Sequence, residues 1–140
     1  MRENLQGTSN MPALATAPTV AIIGASRDRS KFGNKSVRAH QAAGYQVFPV
    51  NPKDSEVEGL ACVASVADLR IQKIDRVSLY LPPAIAVKVL DELASLDVDE
   101  VWLNPCVAYA AVRERAPELV PNASQGCSIA DLGMSPSEFS

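Results

Sequence analysis

Short apolar runs alternate with longer segments of helical periodicity along most of the chain. The first run, residues 19–23, is stopped by Gly24, which is the pattern of a buried parallel strand leading into a turn. Four further runs predict strands two to five. They lie at residues 46–50, 76–81, 100–103 and 126–130.

The clearest helical pattern lies between strands three and four, where Pro82 and Pro83 open a segment that runs to about residue 96. Residues 34–43 predict another helix, with Gly44 as its C-terminal cap. A helix is also predicted at residues 109–116 and a short helical turn at residues 65–69.

This alternation predicts an α/β fold: a single open, doubly wound parallel sheet of about five strands, Rossmann-like, with helices on both faces. The domain is expected to span residues 18–132, after a flexible N-terminal tail (residues 1–17) and before a short C-terminal tail (residues 133–140). Ligands of such sheets bind beyond the carboxyl ends of the strands, where the strand order reverses. The loops after the strands are therefore the places to look for a site.

Composition narrows the classes of partner. The 140 residues are 47% hydrophobic and 21% charged, which suits one domain with an ordinary core. A net charge of −3 gives no global positive field for nucleic acid or an anionic membrane surface, so any anion site must be local. No apolar run predicts a signal peptide or membrane helix, and Cys62, Cys106 and Cys127 lack metal or redox spacing. We expect a cytoplasmic protein without a metal site.

The loop between strand one and the first helix, residues 24–33, is called here the glycine loop. Gly24 and Gly33 allow close backbone approach, the helix N-terminus offers unpaired N–H groups, and Ser26 and Ser30 add hydroxyl donors. The loop also contains three closely spaced basic residues: Arg27, Arg29 and Lys31. The combination suits a pyrophosphate. The alternative is a solvated loop whose basic residues have no binding role.

The end of strand two discriminates among nucleotide cofactors. An NAD site would have GxGxxG in the first loop and an acid near the end of strand two, and the chain has neither. Asn51, Pro52 and Lys53 stand there instead. A lysine at this point favours a ribose that carries a phosphate, so NADP or coenzyme A (CoA) fits better than NAD. The alternative is that Lys53 is a surface lysine after a turn.

Three segments together resemble a known family. They are VAIIGAS at residues 20–26, GYQVFPVNPK at residues 44–53 and VWLNP at residues 101–105. Their order and spacing over residues 18–131 resemble the CoA-binding domain family, which includes the N-terminal domain of the succinyl-CoA synthetase α subunit and free-standing bacterial proteins. The resemblance implies that the glycine loop meets the phosphates and that residues after strands two and three contact the nucleotide end. The candidate binding residues are Gly24, Ala25, Ser26, Arg27, Lys31, Gly33, Asn51, Pro52, Lys53, Leu81, Pro82 and Pro83.

The residues indicate binding rather than catalysis. The single histidine, His40, falls within the first predicted helix, where a surface or partly buried structural role is expected. No Ser-His-Asp order, HExxH motif or carboxylate pair occurs at a ligand loop. Cys106 stands between a strand end and a predicted helix, where a helix dipole lowers a thiol pKa. One hypothesis is a mixed disulfide between Cys106 and the CoA thiol, and the alternative is an inert buried cysteine.

The sequence therefore predicts a module that binds CoA or acyl-CoA and has no catalytic activity of its own. It is compatible with a homodimer or with an enzyme partner on another chain. The alternatives are an NADP-binding oxidoreductase-like domain and an interaction domain with a vestigial pocket.

Overall fold

Five parallel strands form the main sheet of the computed structural model, which describes residues 17–71, 73–104 and 123–139. The strands are β1 (Thr19–Ile23), β2 (Gln46–Val50), β5 (Lys73–Leu79), β6 (Asp97–Leu103) and β7 (Ala123–Gln125). Their order in the sheet is β2-β1-β5-β6-β7. The predicted open parallel α/β sheet of five strands is confirmed.

Two longer helices connect the strands. Helix α1 (Phe32–Ala42) joins β1 to β2, and helix α2 (Pro83–Leu93) joins β5 to β6. Gly44 follows α1 with φ 90°, and the Tyr45 N–H donates to the His40 carbonyl at 2.9 Å, so the glycine ends this helix as predicted. Proline at the first helical position suits α2 because the N–H it lacks has no intrahelical acceptor there.

The two helices cover opposite faces of the sheet. Successive residues of β1 point to alternate faces, so Val20 and Ile22 pack with Val37 of α1, whereas Ala21 and Ile23 join the cluster under α2. The α2 face is apolar throughout. Its fully buried members include Ala21, Val77, Leu79, Ala86, Leu90 and Val101.

A two-stranded hairpin follows β2 and was not predicted. Strands β3 (Glu56–Val57) and β4 (Leu60–Ala61) pair antiparallel around Glu58 and Gly59, whose φ angles are 49° and 80°. Positive φ at both central residues is the geometry of a two-residue hairpin turn, which is more often signalled by Asn-Gly or Asp-Gly. The 3₁₀ turn Val66–Asp68 then lies within the predicted helical turn at residues 65–69.

The prediction of strand five at residues 126–130 was wrong. The strand is β7, which ends at Gln125, and Gly126 has φ 145°. Helix α3 (Ser128–Asp131) begins two residues later and buries Ile129 completely. A short apolar run has too few residues for its period to distinguish a strand from a helix turn.

Other boundaries moved by a few residues. Strand β5 begins three residues before the predicted start and ends at Leu79, so Tyr80 and Leu81 lie in the following loop. The residues expected to form a C-terminal tail include a 3₁₀-helix, Pro136–Phe139, which contacts α1. The helix predicted at residues 109–116 lies outside the described residues. No helix in the described ranges is long and apolar enough to span a bilayer.

Candidate functional site

A crevice opens at the point in the sheet where the strand order reverses. The chain passes from β1 through α1 to β2 on one side, and from β5 through α2 to β6 on the other. The carboxyl ends of β1 and β5 therefore lie at the switch point, which is the usual ligand position in open α/β sheets. Gly24 and Tyr80 are the first residues after these two strands, and the Tyr80 N–H donates to the Ile23 carbonyl at 2.8 Å.

Gly24 and Gly33 allow the backbone at this point to pack without side chains between its segments. Gly24 has φ 97°, and a Cβ there would overlap the carbonyl oxygen of Tyr80. A Cβ on Gly33 would overlap the carbonyl oxygen of Gly24. Gly33 thus brings the start of α1 against the end of β1, and Gly24 brings the end of β1 against the residue that follows β5. Close packing of this kind is the role of glycine in dinucleotide-binding turns. The structure places the two glycines in direct contact, and their role in binding stays a prediction.

Two cavities meet at Gly24. The first, here the glycine-loop cavity, has a volume of about 380 Å³ and is lined by Gly24, Ser30, Lys31, Phe32, Gly33 and Tyr80. The second, here the apolar cavity, has a volume of about 270 Å³. It is lined by Ile23, Gly24, Val50, Pro52, Ala64, Ser65, Val66, Leu81, Ile85, Lys88, Val89 and Glu92. A ligand crossing Gly24 would contact a polar loop on one side and an apolar wall on the other.

Some backbone amides of the glycine loop have an acceptor among the described residues, and others have none. Three of its amides donate to side-chain oxygens: Arg27 to Asp54, Asp28 to Ser26, and Ser30 to Asp28, each at 3.0 Å. The N–H groups of Ala25 and Ser26 have no acceptor within the part of the chain that the structure describes. Ala25 is fully buried. A buried amide without a partner is costly, and an anionic ligand or water at this point would satisfy it.

The start of α1 adds further donors of the same kind. The first N–H groups of a helix have no intrahelical acceptor, and they lie at the positive end of the helix dipole. Lys31 precedes the first turn of α1, and its side chain makes no hydrogen bond to the helix N-terminus. The Asn34 N–H donates to the Lys31 carbonyl at 3.1 Å, whereas the N–H groups of Phe32 and Gly33 have no acceptor among the described residues. Phe32 and Gly33 both line the glycine-loop cavity.

The positive charge of the glycine loop is smaller than its sequence suggested. Arg27 Nε lies 3.6 Å from Asp54 Oδ1, and Arg29 Nε lies 3.4 Å from Glu58 Oε2. Both carboxylates come from the segment after β2, which sequence spacing alone did not place beside the loop. Lys31 makes no ion pair among the described residues, and it lines the glycine-loop cavity. Lys31 is therefore the cation best placed for a phosphate.

Asn51 connects the loop after β2 to the glycine loop. Its Nδ2 donates to the carbonyl of Ala25, and its Oδ1 accepts a hydrogen bond from the Lys53 N–H at 2.7 Å. Asn51 therefore holds the glycine-loop backbone at Ala25, next to the amides that have no described acceptor. The Lys53 side chain is exposed and lines neither cavity, whereas Pro52 lines the apolar cavity.

The candidate residues after the third predicted strand have different positions. Leu81 lines the apolar cavity. Pro82 is the N-cap of α2 and Pro83 its first residue, and neither lines a cavity. Residues that sequence reasoning missed also line the crevice, including Phe32, Tyr80 and Lys88. Phe32 is 56% exposed although it is a large apolar residue, and only the structure shows this.

Burial shifts the pKa values of two groups in this region, Tyr80 and Cys62. Burial raises the pKa of the Tyr80 phenol, whose oxygen lies 3.2 Å from Ser128 Oγ. Burial likewise raises the pKa of Cys62, which keeps this thiol protonated. Cys106 lies outside the described residues, and the mixed-disulfide hypothesis stays a prediction. His40 is fully buried, rather than partly buried or at the surface as expected, and lies outside the residues that line either cavity.

The fold and the crevice define a Rossmann-like α/β domain. Residues 18–130 match the family model described as "CoA binding domain". The chain therefore belongs to the CoA-binding domain family, and the resemblance found in the sequence is confirmed.

Relatives of the chain include both free-standing proteins and larger enzymes. Acetate–CoA ligase (ADP-forming) of Methanocaldococcus jannaschii is 35% identical over 74 residues, which are 53% of this chain and 10% of the ligase. A conserved hypothetical protein from Pyrococcus furiosus has a TM-score of 0.73 and 26% identity, over 81% of this chain and 98% of that chain. The dinucleotide forming acetyl-coenzyme A synthetase 1 of Ca. Korarchaeum cryptofilum has a TM-score of 0.62 and 26% identity, over 89% of this chain and 26% of that chain. This chain thus spans about a tenth of the curated ligase.

Proposed function

We propose that this chain binds CoA or an acyl-CoA across Gly24, with the pyrophosphate at the glycine loop and the adenine in the apolar cavity. One observation supports this most strongly: beside the N-terminus of α1, the amides of Ala25 and Ser26 have no acceptor among the described residues. Such a group of backbone donors suits a pyrophosphate, because it offers several hydrogen bonds and the positive end of a helix dipole together. Family membership supports CoA as the nucleotide.

The apolar cavity suits the base. Its walls are aliphatic side chains from β1, β2 and α2, among them Ile23, Val50 and Val89. Ser65 and Glu92 place polar groups at the same cavity. Ligand sites are commonly apolar with a few polar groups that fix orientation. The cavity therefore provides stacking surface for adenine together with hydrogen-bonding groups.

Two lysines are available for the 3′-phosphate that distinguishes CoA from dephospho-CoA. Lys88 lines the apolar cavity, and Lys53 follows Pro52, which lines it. We assign the 3′-phosphate to these two side chains. Either substitution, Lys53→Ala or Lys88→Ala, is expected to weaken the affinity for CoA by about fivefold, which is the contribution of an exposed ion pair. The affinity for dephospho-CoA should not change.

Lys73→Ala is the matched control for these variants. Lys73 begins β5 at the opposite end of the sheet and lies 3.3 Å from Asp99. The Lys73→Ala substitution should change the affinity for neither CoA nor dephospho-CoA. If both test variants lost as much affinity for dephospho-CoA as for CoA, the assignment of the 3′-phosphate to these lysines would be contradicted.

The proposed function is binding, without a reaction step supplied by the described residues that line the two cavities. The related ligase is about ten times as long as the matched segment, so acyl transfer would require groups outside this segment, to which bound CoA could be presented. Calorimetric titration with CoA, NADP and NAD tests the ligand directly. We expect CoA to bind best. Tighter binding of NADP would favour an oxidoreductase-like domain, and absent heats for all three would favour a vestigial pocket.

A further inference from the structure

Arg38, on α1, joins the glycine loop to the C-terminal segment, residues 135–139. Its Nη2 donates to the carbonyl of Arg29 at 2.8 Å and to the carbonyl of Phe139 at 2.6 Å. The guanidinium carbon also lies 5.7 Å from the centroid of the Phe139 ring. One side chain thus holds two segments that are far apart in sequence.

Asn34 extends this connection to the other end of the glycine loop. Its Oδ1 accepts from Arg38 Nε at 2.7 Å, and its Nδ2 donates to the carbonyl of Ser26 at 2.8 Å and to Glu58 Oε2 at 3.0 Å. Asn34 is fully buried, and its amide is oriented by the donor on Arg38 together with the acceptors on Ser26 and Glu58. Arg38 therefore fixes the loop backbone at Arg29 directly and at Ser26 through Asn34.

The C-terminal segment has few other interactions that hold it against α1. Its 3₁₀-helix, Pro136–Phe139, contains no buried residue. Among the described residues, its side chains hydrogen-bond only within the segment, as in the bond from the Ser135 N–H to Glu138 Oε2 at 2.6 Å. A segment with little buried apolar surface opens at low free-energy cost. Its docking therefore depends on Arg38 to an unusual degree.

We propose that Arg38 is a positioning residue through which docking of the C-terminal segment and CoA binding at the glycine loop favour each other. The docked Phe139 carbonyl and ring hold the guanidinium where it also clamps the loop. A phosphate bound to the loop amides rigidifies the same backbone and so favours the docked segment. The proposal rests on the proposed function, and thermodynamic linkage requires that the coupling be reciprocal.

The test measures both directions of this coupling in the full chain. The variants are Arg38→Lys, which keeps the charge but loses the planar fork, Phe139→Gly, which loosens the segment, and the two combined. Arg70→Lys is the matched control, because Arg70 is an exposed arginine that lines neither the glycine-loop cavity nor the apolar cavity. Calorimetry gives CoA affinity, and hydrogen exchange follows the Glu138 amide, which donates to the Ser135 carbonyl at 3.0 Å.

We expect each single variant to weaken the affinity for CoA by about fivefold, which is at the lower end of allosteric couplings. The combined variant should lose no more affinity than either single variant. CoA should slow exchange of the Glu138 amide in the unmodified chain and not in Arg38→Lys. Unchanged affinity in Phe139→Gly, multiplied losses in the combined variant, or unchanged exchange on CoA binding would overturn the coupling alone. Absence of CoA binding by the unmodified chain would reject the proposed function and the coupling with it.

Discussion

The two faces of the sheet differ in how they are held together. Under α2, the strands present an apolar surface in which Val77, Leu79 and Leu90 are fully buried. On the face of α1 and α3, the same strand β5 presents Arg76 and Ser78, both nearly or fully buried, and Tyr80 follows in line. One strand therefore supplies an apolar core on one side and a polar network on the other.

Arg76 is the centre of the larger polar cluster. Its guanidinium carbon lies 5.4 Å from the ring centroids of both Tyr45 and Trp102. Its Nε lies 2.9 Å from Glu100 Oε1, and its Nη2 pairs with Asp131. Both carboxylates are partly exposed, so the charges are only partly removed from water.

A second cluster connects the polar face to the crevice. The Asn104 side chain donates to Ser78 Oγ and to the Leu79 carbonyl, both at 2.8 Å, and accepts from the Ser128 N–H at 2.9 Å. Ser128 Oγ in turn lies 3.2 Å from the Tyr80 hydroxyl. The polar face thus orients a crevice residue, whereas the apolar face supplies the cavity wall. Directional bonds suit the first task, and non-directional packing is enough for the second.

The largest effect is expected at Gly24, which belongs to both cavities. Gly24→Ala should lower the free energy of unfolding by about 4 kcal/mol, because the new Cβ meets the Tyr80 carbonyl in addition to the left-handed φ of 97°. Gly44→Ala is the matched control, since its φ is 90° and its Cβ would meet nothing within 4 Å. It should cost about 1 kcal/mol. Equal losses by chemical denaturation would show that backbone conformation alone, and not close approach, requires Gly24.

The next largest expected effect is a pH dependence of the free energy of unfolding, which we expect from the polar face and not from the apolar face. Burial lowers the pKa of His40 from 6.5 to about 4. The charged side chains that also act on this pKa are those of Arg76, Asp131 and Glu100. Because the folded state disfavours protonation, the stabilisation is complete above pH 6.5 and is lost as the pH falls toward 4. Between pH 7.5 and 5 we expect a loss of about 2 kcal/mol from this group.

The matching variants are His40→Gln and Leu90→Ala, each followed by urea denaturation at both pH values. His40→Gln should remove this part of the pH dependence. Leu90→Ala, on the apolar face, should lower stability by about 3 kcal/mol at either pH. An unchanged pH dependence in His40→Gln would mean that the polar face does not depend on a neutral histidine.

The smallest effect is expected at the junction of the polar network with the crevice. Tyr80→Phe removes the hydroxyl that lies 3.2 Å from Ser128 Oγ and should lower the free energy of unfolding by about 1 kcal/mol, the usual worth of one hydrogen bond. Thermal unfolding measures this loss. A stability equal to that of the unmodified chain would show that the bond does not hold the ring in place.

The comparison of the two faces also shows which parts of the fold could be predicted from the sequence. The strands at residues 19–23 and 46–50 were predicted at their observed bounds, because buried parallel strands are short apolar runs ended by Gly or Pro. The polar cluster was not predicted. Arg76, Glu100 and Asp131 are far apart in sequence, and only the strand register and the placement of α3 bring them together.

The candidate site shows the same division. Gly24 and Gly33 were predicted because their role follows from backbone geometry, and the structure does bring them together. The pairing of Arg27 with Asp54 and of Arg29 with Glu58 depends on the path of the segment after β2, including the unpredicted hairpin. The clamp through Asn34 and Arg38 likewise depends on the C-terminal segment packing on α1.

The central claim is that CoA binds across Gly24 through the backbone of the glycine loop. Titration of ¹⁵N-labelled protein with CoA, followed by amide chemical shifts, tests it most directly. The account predicts the largest shifts at the amides of Ala25 and Ser26, with smaller shifts at Phe32 and Gly33. Shifts confined to the groove beside β2, which is lined by Tyr45, Phe48 and Leu60, or no shifts at saturating CoA, would contradict it.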